Sequence, residues 1–162
     1  MSLLKPHPLW TTYGSNPHEV NKAVIVAKLL SGRYRTDWLA RHWTPKNKEG
    51  YCLLCPGLSL PGDIPHLLST CQALQEKRLH LFNYWRSTTE NNNHLFTLVN
   101  SVVDGDATSF IQFVLDPSVV PEIISGVQKE HFTLNEIFHL SRTYCYAMHR
   151  RRTQLLGTFN SN

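Results

Sequence analysis

A mainly α-helical fold is what this sequence predicts, on three observations. Polar residues that can take up free backbone N–H groups precede apolar runs at Asn16, Thr36 and Thr133, as helix starts require. The apolar residues after them repeat at helical spacing. The stretch around residues 52–71 is a loop with no core of its own, and it holds three of the four cysteines. Of the 162 residues 41% are hydrophobic and 17% charged, which provides for a core and excludes wholesale disorder.

Residues 1–15 read as a flexible N-terminal arm, interrupted by prolines and without periodicity. The first helix opens at Asn16, with Pro17 in its first turn and Glu19 placed for a capping box. Val20, Ala23, Val24, Ala27 and Leu30 fall on one apolar face, and Gly32 ends it. Thr36 caps a short helix through Trp43. After Cys71, the run from Gln72 to Thr89 reads as a helix burying Leu74, Leu81, Phe82 and Trp85. A polar break at 90–93 leads to a second apolar segment, 94–103, ending at Asp104-Gly105-Asp106. The run 109–117 fits helix or strand, and 122–130 is another short helix. Thr133 and Glu136 form a capping box for the last helix. Its stripe is Ile137, Leu140, Ser141, Tyr144, Met148 and Leu155, and at ~1.5 Å per residue it is roughly 35 Å long. The predicted organisation is thus the arm, a region 16–90 of basic helices around the cysteine loop, and a helical region 91–162 packing on it.

The loop carries the chemistry. Cys52, Cys55, His66 and Cys71 are spaced C-x2-C-x10-H-x4-C. A Cys-x2-Cys turn lets two sulfurs converge on one ion, and Pro56-Gly57 turns the chain away. Pro65 begins a short helical stretch that presents His66, with Cys71 about one and a third turns later. Zinc prefers such thiolate and imidazole sets in a closed tetrahedron, and four ligands with no open position describe a structural ion. The expected cofactor is one structural Zn²⁺, whose binding contributes folding energy. Three thiolates and a neutral imidazole leave the site at −1, which Lys46, Lys48 and nearby N–H groups can offset. His42 and His80 flank the site as alternative ligands. Cys145 sits mid-helix and reads as a small core residue.

Charge is unevenly laid out. Residues 1–55 carry eight Lys/Arg against three Asp/Glu, residues 56–140 four against nine, and residues 141–162 four arginines with no acid. Basic clusters at both ends favour phosphate-bearing partners. Arg33, Arg35 and Arg41 are interleaved with Tyr34, Trp38 and Trp43. Arg150, Arg151 and Arg152 form a second cluster. Solvated surface is the alternative for the arginines. Trp38 and Trp43 fit core packing against the metal loop better than stacking on bases, and Tyr34 fits either. No phosphate loop, nucleophile elbow or H-E-x-x-H occurs, and Asp104-Gly105-Asp106 reads as a turn rather than a Mg²⁺ chelate. The reading is a non-enzymatic one. No apolar run approaches the ~20 residues of a membrane helix, and the first residues lack a signal-peptide apolar stretch. An intracellular protein, nuclear or cytoplasmic, with reduced cysteines is expected.

Several stretches in order, GRYRTDWLARHW, the Cys/His loop, the charged helix after it, FVLDPSVVPEII and LSRTYCYAMHRRRTQLLG, resemble the C-terminal region of LINE-type (non-long-terminal-repeat) retrotransposon reverse transcriptase frames. The resemblance runs from about Ser15 to Gly157. It implies a zinc-binding, nucleic-acid-binding tail that works beside an upstream reverse transcriptase domain, with Cys52, Cys55, His66 and Cys71 at the metal-ligand positions. The polymerase carboxylates of that family belong to a domain this chain lacks, so the chain reads as a truncated or host-derived copy. RNA or DNA is the expected partner, with no membrane and no small-molecule substrate. The alternative is a zinc-stabilised protein–protein interaction module, which the acidic middle favours.

Overall fold

Asn16 opens the first helix, α1 (Pro17–Leu30), by accepting the His18 N–H at 2.9 Å. The structure is a computed structural model that describes residues 7–11, 16–43 and 47–159. Thr36 caps α2 (Asp37–Ala40) through the Leu39 N–H. A loop and a π-helical turn, His66–Thr70, lead to α3 (Gln75–Thr89). Asn92 caps α4 (Asn93–Val103), and Asp106 caps α5 (Ala107–Leu115) through the N–H groups of Thr108 and Ser109. Pro121 starts α6 (Pro121–Gln128). The last helix, α7 (Leu134–Phe159), has 26 residues. The mainly helical expectation holds: no strand occurs among the described residues, only one antiparallel bridge between Tyr51 and Pro61. Of the segment 109–117, open to either reading, residues 109–115 are helical, in a helix whose first N–H groups Asp106 satisfies. No helix among the described residues is long and apolar enough to cross a membrane.

The capping box at α7 closes on both sides. Glu136 Oε2 accepts the Thr133 N–H at 2.7 Å, and the Glu136 N–H donates to Thr133 Oγ1 at 3.2 Å. Thr133→Ala is expected to cost about 1 kcal/mol, read as a lower urea midpoint with an unchanged slope.

α7 is the central element and packs against α1, α3 and α5. Ile137, Tyr144 and Met148 of its expected stripe are fully buried, and Leu155 is half-buried. Tyr144 anchors an aromatic cluster with Trp85 at 5.4 Å, Phe110 at 5.2 Å and Phe82 at 6.1 Å between ring centroids. Burial pushes the Tyr144 hydroxyl well above the usual tyrosine range, so it stays protonated and donates to the Leu68 carbonyl. Cys145 is core, as its sequence context indicates: its thiol, pushed up to about 12 by burial, points at the Val114 carbonyl. One apolar cluster draws residues from both 16–90 and 91–162.

One expectation is corrected here. In α1 the buried residues are Ala23, Ile25, Val26 and Leu29, while Leu30 is 42% exposed and Val20, Val24 and Ala27 are only partly covered. The segment is apolar on most sides, so its period fixes the face weakly. The face that packs also carries Glu19, which pairs with buried Arg142 of α7. The arm 1–15 is described only at residues 7–11, and there it packs: Leu9 is buried and His7 meets Asp116 at 3.3 Å.

Candidate metal centre

The residues between Gly50 and Gly62 fold into a narrow antiparallel loop. The Cys52 N–H donates to Leu60 O at 2.8 Å, and the Gly62 N–H to Gly50 O at 2.9 Å. At its tip the Cys55 N–H donates to Cys52 O at 3.1 Å, which turns both sulfurs to one side. Gly57 continues the turn at φ +81°, in the left-handed region that favours glycine. The other two ligands come from the π-helical turn. The Cys71 N–H donates to His66 O at 2.8 Å, five residues back. In an α-helix, residues five apart point about 140° away from each other. The wider turn brings His66 and Cys71 to the same side.

The four side chains meet. Their ligand atoms all lie within 4.8 Å of one another, and all four residues are buried. Cys71 Sγ is 3.6 Å from Cys55 Sγ and 4.0 Å from Cys52 Sγ. Metal–sulfur bonds of about 2.3 Å put tetrahedral sulfurs about 3.8 Å apart, so the spacing fits one central ion. His66 Nδ1 lies 3.1 Å from Thr70 Oγ1, while its Nε2 is buried with no hydrogen-bond partner. That is the arrangement of a metal-binding imidazole: one nitrogen turned inward and the other held by a neighbour that fixes ring and tautomer. The only sign of Thr70 in the sequence is its i, i+4 spacing from His66, which the ligand pattern itself does not use.

Charge agrees with geometry. The hydrogen bond from Cys71 holds the Cys52 thiol below the ordinary cysteine value against the effect of burial, with help from the Leu54 N–H and from His66. The same contact with Cys52, together with burial, pushes Cys71 far up. Three sulfurs this close repel one another as thiolates, and a central cation would offset that repulsion. The group is positioned to bind one metal ion. His42 and His80 lie outside the cluster, and no second group of this kind occurs among the described residues.

The basic residues separate into distinct settings. Arg33 and Arg35 are exposed and line a groove of about 500 Å³ with Lys28, His149 and Arg152. Burial, with the charges of Arg152, Lys28 and Arg150, keeps His149 below the ordinary histidine value. Arg150 and Arg151 line a different cavity of about 760 Å³, with Lys77 and His80 of α3. Two residues along a helix turn through about 200°, so the arginine triplet is split between two faces of α7. Arg152 donates to Asp37 at 2.8 Å, both being largely buried. Lys48 is exposed, and Lys46 lies outside the described residues.

The aromatic side chains divide: Tyr34, open to either reading, is core, and the expectation for Trp38 and Trp43 is reversed. Tyr34 is 4% exposed and hydrogen-bonds to His149 Nδ1 at 2.9 Å, so its ring has no free face for a base. Trp38 and Trp43, expected in the core, are 44% and 68% exposed. A single-turn α2 has no room to bury both beside the loop that closes over it. Arg41 lies with its guanidinium 3.4 Å over the Trp38 ring, a cation–π contact.

Comparison with family models, curated proteins and solved structures finds no match.

Proposed function

We propose that this chain is a non-catalytic, zinc-stabilised module that binds RNA or DNA, a tail segment of a LINE-type reverse-transcriptase-like protein in a truncated or host-derived copy. Zinc is the ion of choice because three thiolates and one imidazole in a closed tetrahedron match its ligand preference. The retrotransposon origin rests on the ordered motifs from GRYRTDWLARHW to LSRTYCYAMHRRRTQLLG. The observation that carries the binding reading is the groove. It brings Lys28, Arg33 and Arg35 from the first basic stretch together with Arg152 from the last, across more than a hundred residues of sequence. The one carboxylate among its described lining residues, Asp37, is already engaged by Arg152. The groove is therefore open to anions, and the Trp38–Arg41 stack and exposed Trp43 belong to the same short stretch of chain.

Fluorescence anisotropy with single-stranded RNA and duplex DNA tests this. Three phosphate contacts predict that affinity falls about 10–50-fold between roughly 50 and 200 mM salt. Arg33→Gln with Arg35→Gln is expected to weaken binding for every sequence and to lower the salt slope by about 2. Undetectable binding of both nucleic acids at low salt by the zinc-loaded chain would rule the reading out. Binding of a protein partner that ignores salt would point instead to an interaction module.

A further inference from the structure

Asp37 sits where the metal loop, the basic stretch and the long helix meet. Its carboxylate is 7% exposed. Oδ2 accepts the N–H of Leu53, inside the Cys52–Cys55 turn, at 3.1 Å. Oδ1 accepts from Arg152 at 2.8 Å. The returning arm of the loop closes on the same residue. The Trp38 N–H donates to Gly62 O at 3.1 Å. A Cβ on Gly62 would stand 2.6 Å from Asp37 Cβ and 3.1 Å from Cys52 Cα. Glycine is needed there for this approach. The other half of the ligand set has its own tie to α7, since Tyr144 donates to Leu68 O between His66 and Cys71. Tyr144 and Arg152 are about 12 Å apart along the helix, and each holds one pair of ligands.

We infer that Asp37 and Arg152 are a positioning pair for the metal centre, fixing the Cys52–Cys55 turn against α7 and balancing charge beside it. This rests on the Cys3His group being a metal site and not on nucleic-acid binding. A divalent ion on three thiolates leaves a negative centre. Asp37 adds a second buried negative charge one hydrogen bond away, and Arg152 neutralises it. Without Arg152 the carboxylate is buried unpaired, next to thiolates whose charge the metal must hold. Arg152 is then a residue that serves the metal rather than phosphate. Metal occupancy in turn keeps it in place on the wall of the groove with Arg33 and Arg35, since such coupling is reciprocal.

Metal affinity of the full chain, read by zinc competition with a chromophoric chelator and by Co²⁺ absorbance, tests the pair. Arg152→Gln is expected to bind about 10-fold more weakly, the scale of lost outer-shell partners. Arg150→Gln, on the opposite face of the same helix, is expected to match the wild type. Asp37→Asn combined with Arg152→Gln removes both charges and is expected to recover part of the loss. Arg152→Lys keeps the charge and should stay close to wild type, and it decides the matter if Arg152→Gln does not fold. Wild-type affinity in Arg152→Gln, an equal loss in Arg150→Gln, or a Lys variant as weak as Gln would overturn the inference. A wild-type chain that binds neither ion would overturn the metal centre itself, which is a separate result.

Discussion

Cys71→Ser, or removal of the metal by a strong chelator, is expected to abolish the cooperative thermal transition of this chain. Cys71 is 1% exposed and is the sulfur that touches both of the others. The loop from 50 to 62 has one backbone bridge and no regular element to support it. Yet it and the turn after it insert Leu54, Leu67 and Leu68 into the common core. Without an ion, the Cys71 sulfur and the two within about 4 Å of it cannot all carry charge, and His66 Nε2 is left buried and unpartnered. Structural zinc contributes on the order of 10 kcal/mol in small zinc domains, as much as the ~5–15 kcal/mol total stability of an ordinary domain. The loss therefore reaches α7 through Leu68 and Tyr144 and is not confined to the loop. Co²⁺ titration should show one equivalent with thiolate charge-transfer absorbance, absent in Cys71→Ser, and far-UV circular dichroism should lose helix on chelation. A metal-free chain with unchanged helicity and a sharp melt would contradict this account.

The parts of the structure that depend on neighbours in sequence were legible in it. The Thr133 box, the Asn16 and Thr36 caps and the α7 stripe are local, and each is decided within a few residues. The four ligands were legible for the same reason, because their spacing is itself the signal. Asp106 was visible as well, but its role as the cap of α5 is hidden by its place in a Gly-flanked turn. What stayed hidden is set by the tertiary arrangement. Nothing near Asp37 in the chain announces a bond to Leu53 sixteen residues on or to Arg152 115 residues on. Trp38 is tied to the loop through its N–H and Gly62 O while its ring stays exposed, an arrangement no local pattern encodes. Basic residues at the two ends could be counted, but only folding decides that Arg35 and Arg152 share a groove while Arg150 faces another cavity.

The same limit applies to Glu19, read in sequence as half of a capping box and found as half of a buried ion pair. Its Oε2 lies 3.3 Å from Arg142, whose side chain is 1% exposed, and its Oε1 accepts from Lys22 at 2.6 Å. Glu19→Gln removes a counter-charge facing a guanidinium that cannot lose its proton and is held at the α1–α7 contact. A loss of about 1.5–3 kcal/mol, the scale of a hydrogen bond between charged groups, is expected in urea denaturation. Replacing both residues, Glu19→Leu with Arg142→Met, is expected to recover most of it, because well-packed apolar groups of similar volume often match a buried pair. A double-mutant cycle with a coupling near zero would show that the pair does not join the helices. The pH dependence gives a second reading. Burial alone would raise the Glu19 carboxyl, but the hydrogen bond and charge of Lys22, with His139 and Arg142, outweigh it and hold the group below its ordinary value. The folded state then binds fewer protons than the unfolded chain. The stabilisation is fully present above the ordinary glutamate range and is lost as pH falls through the lowered value. Glu19→Gln should therefore be less stable than wild type at neutral pH, with the gap narrowing in acid. A gap that stays constant down to pH values below the carboxylate range would assign the effect to packing and not to charge.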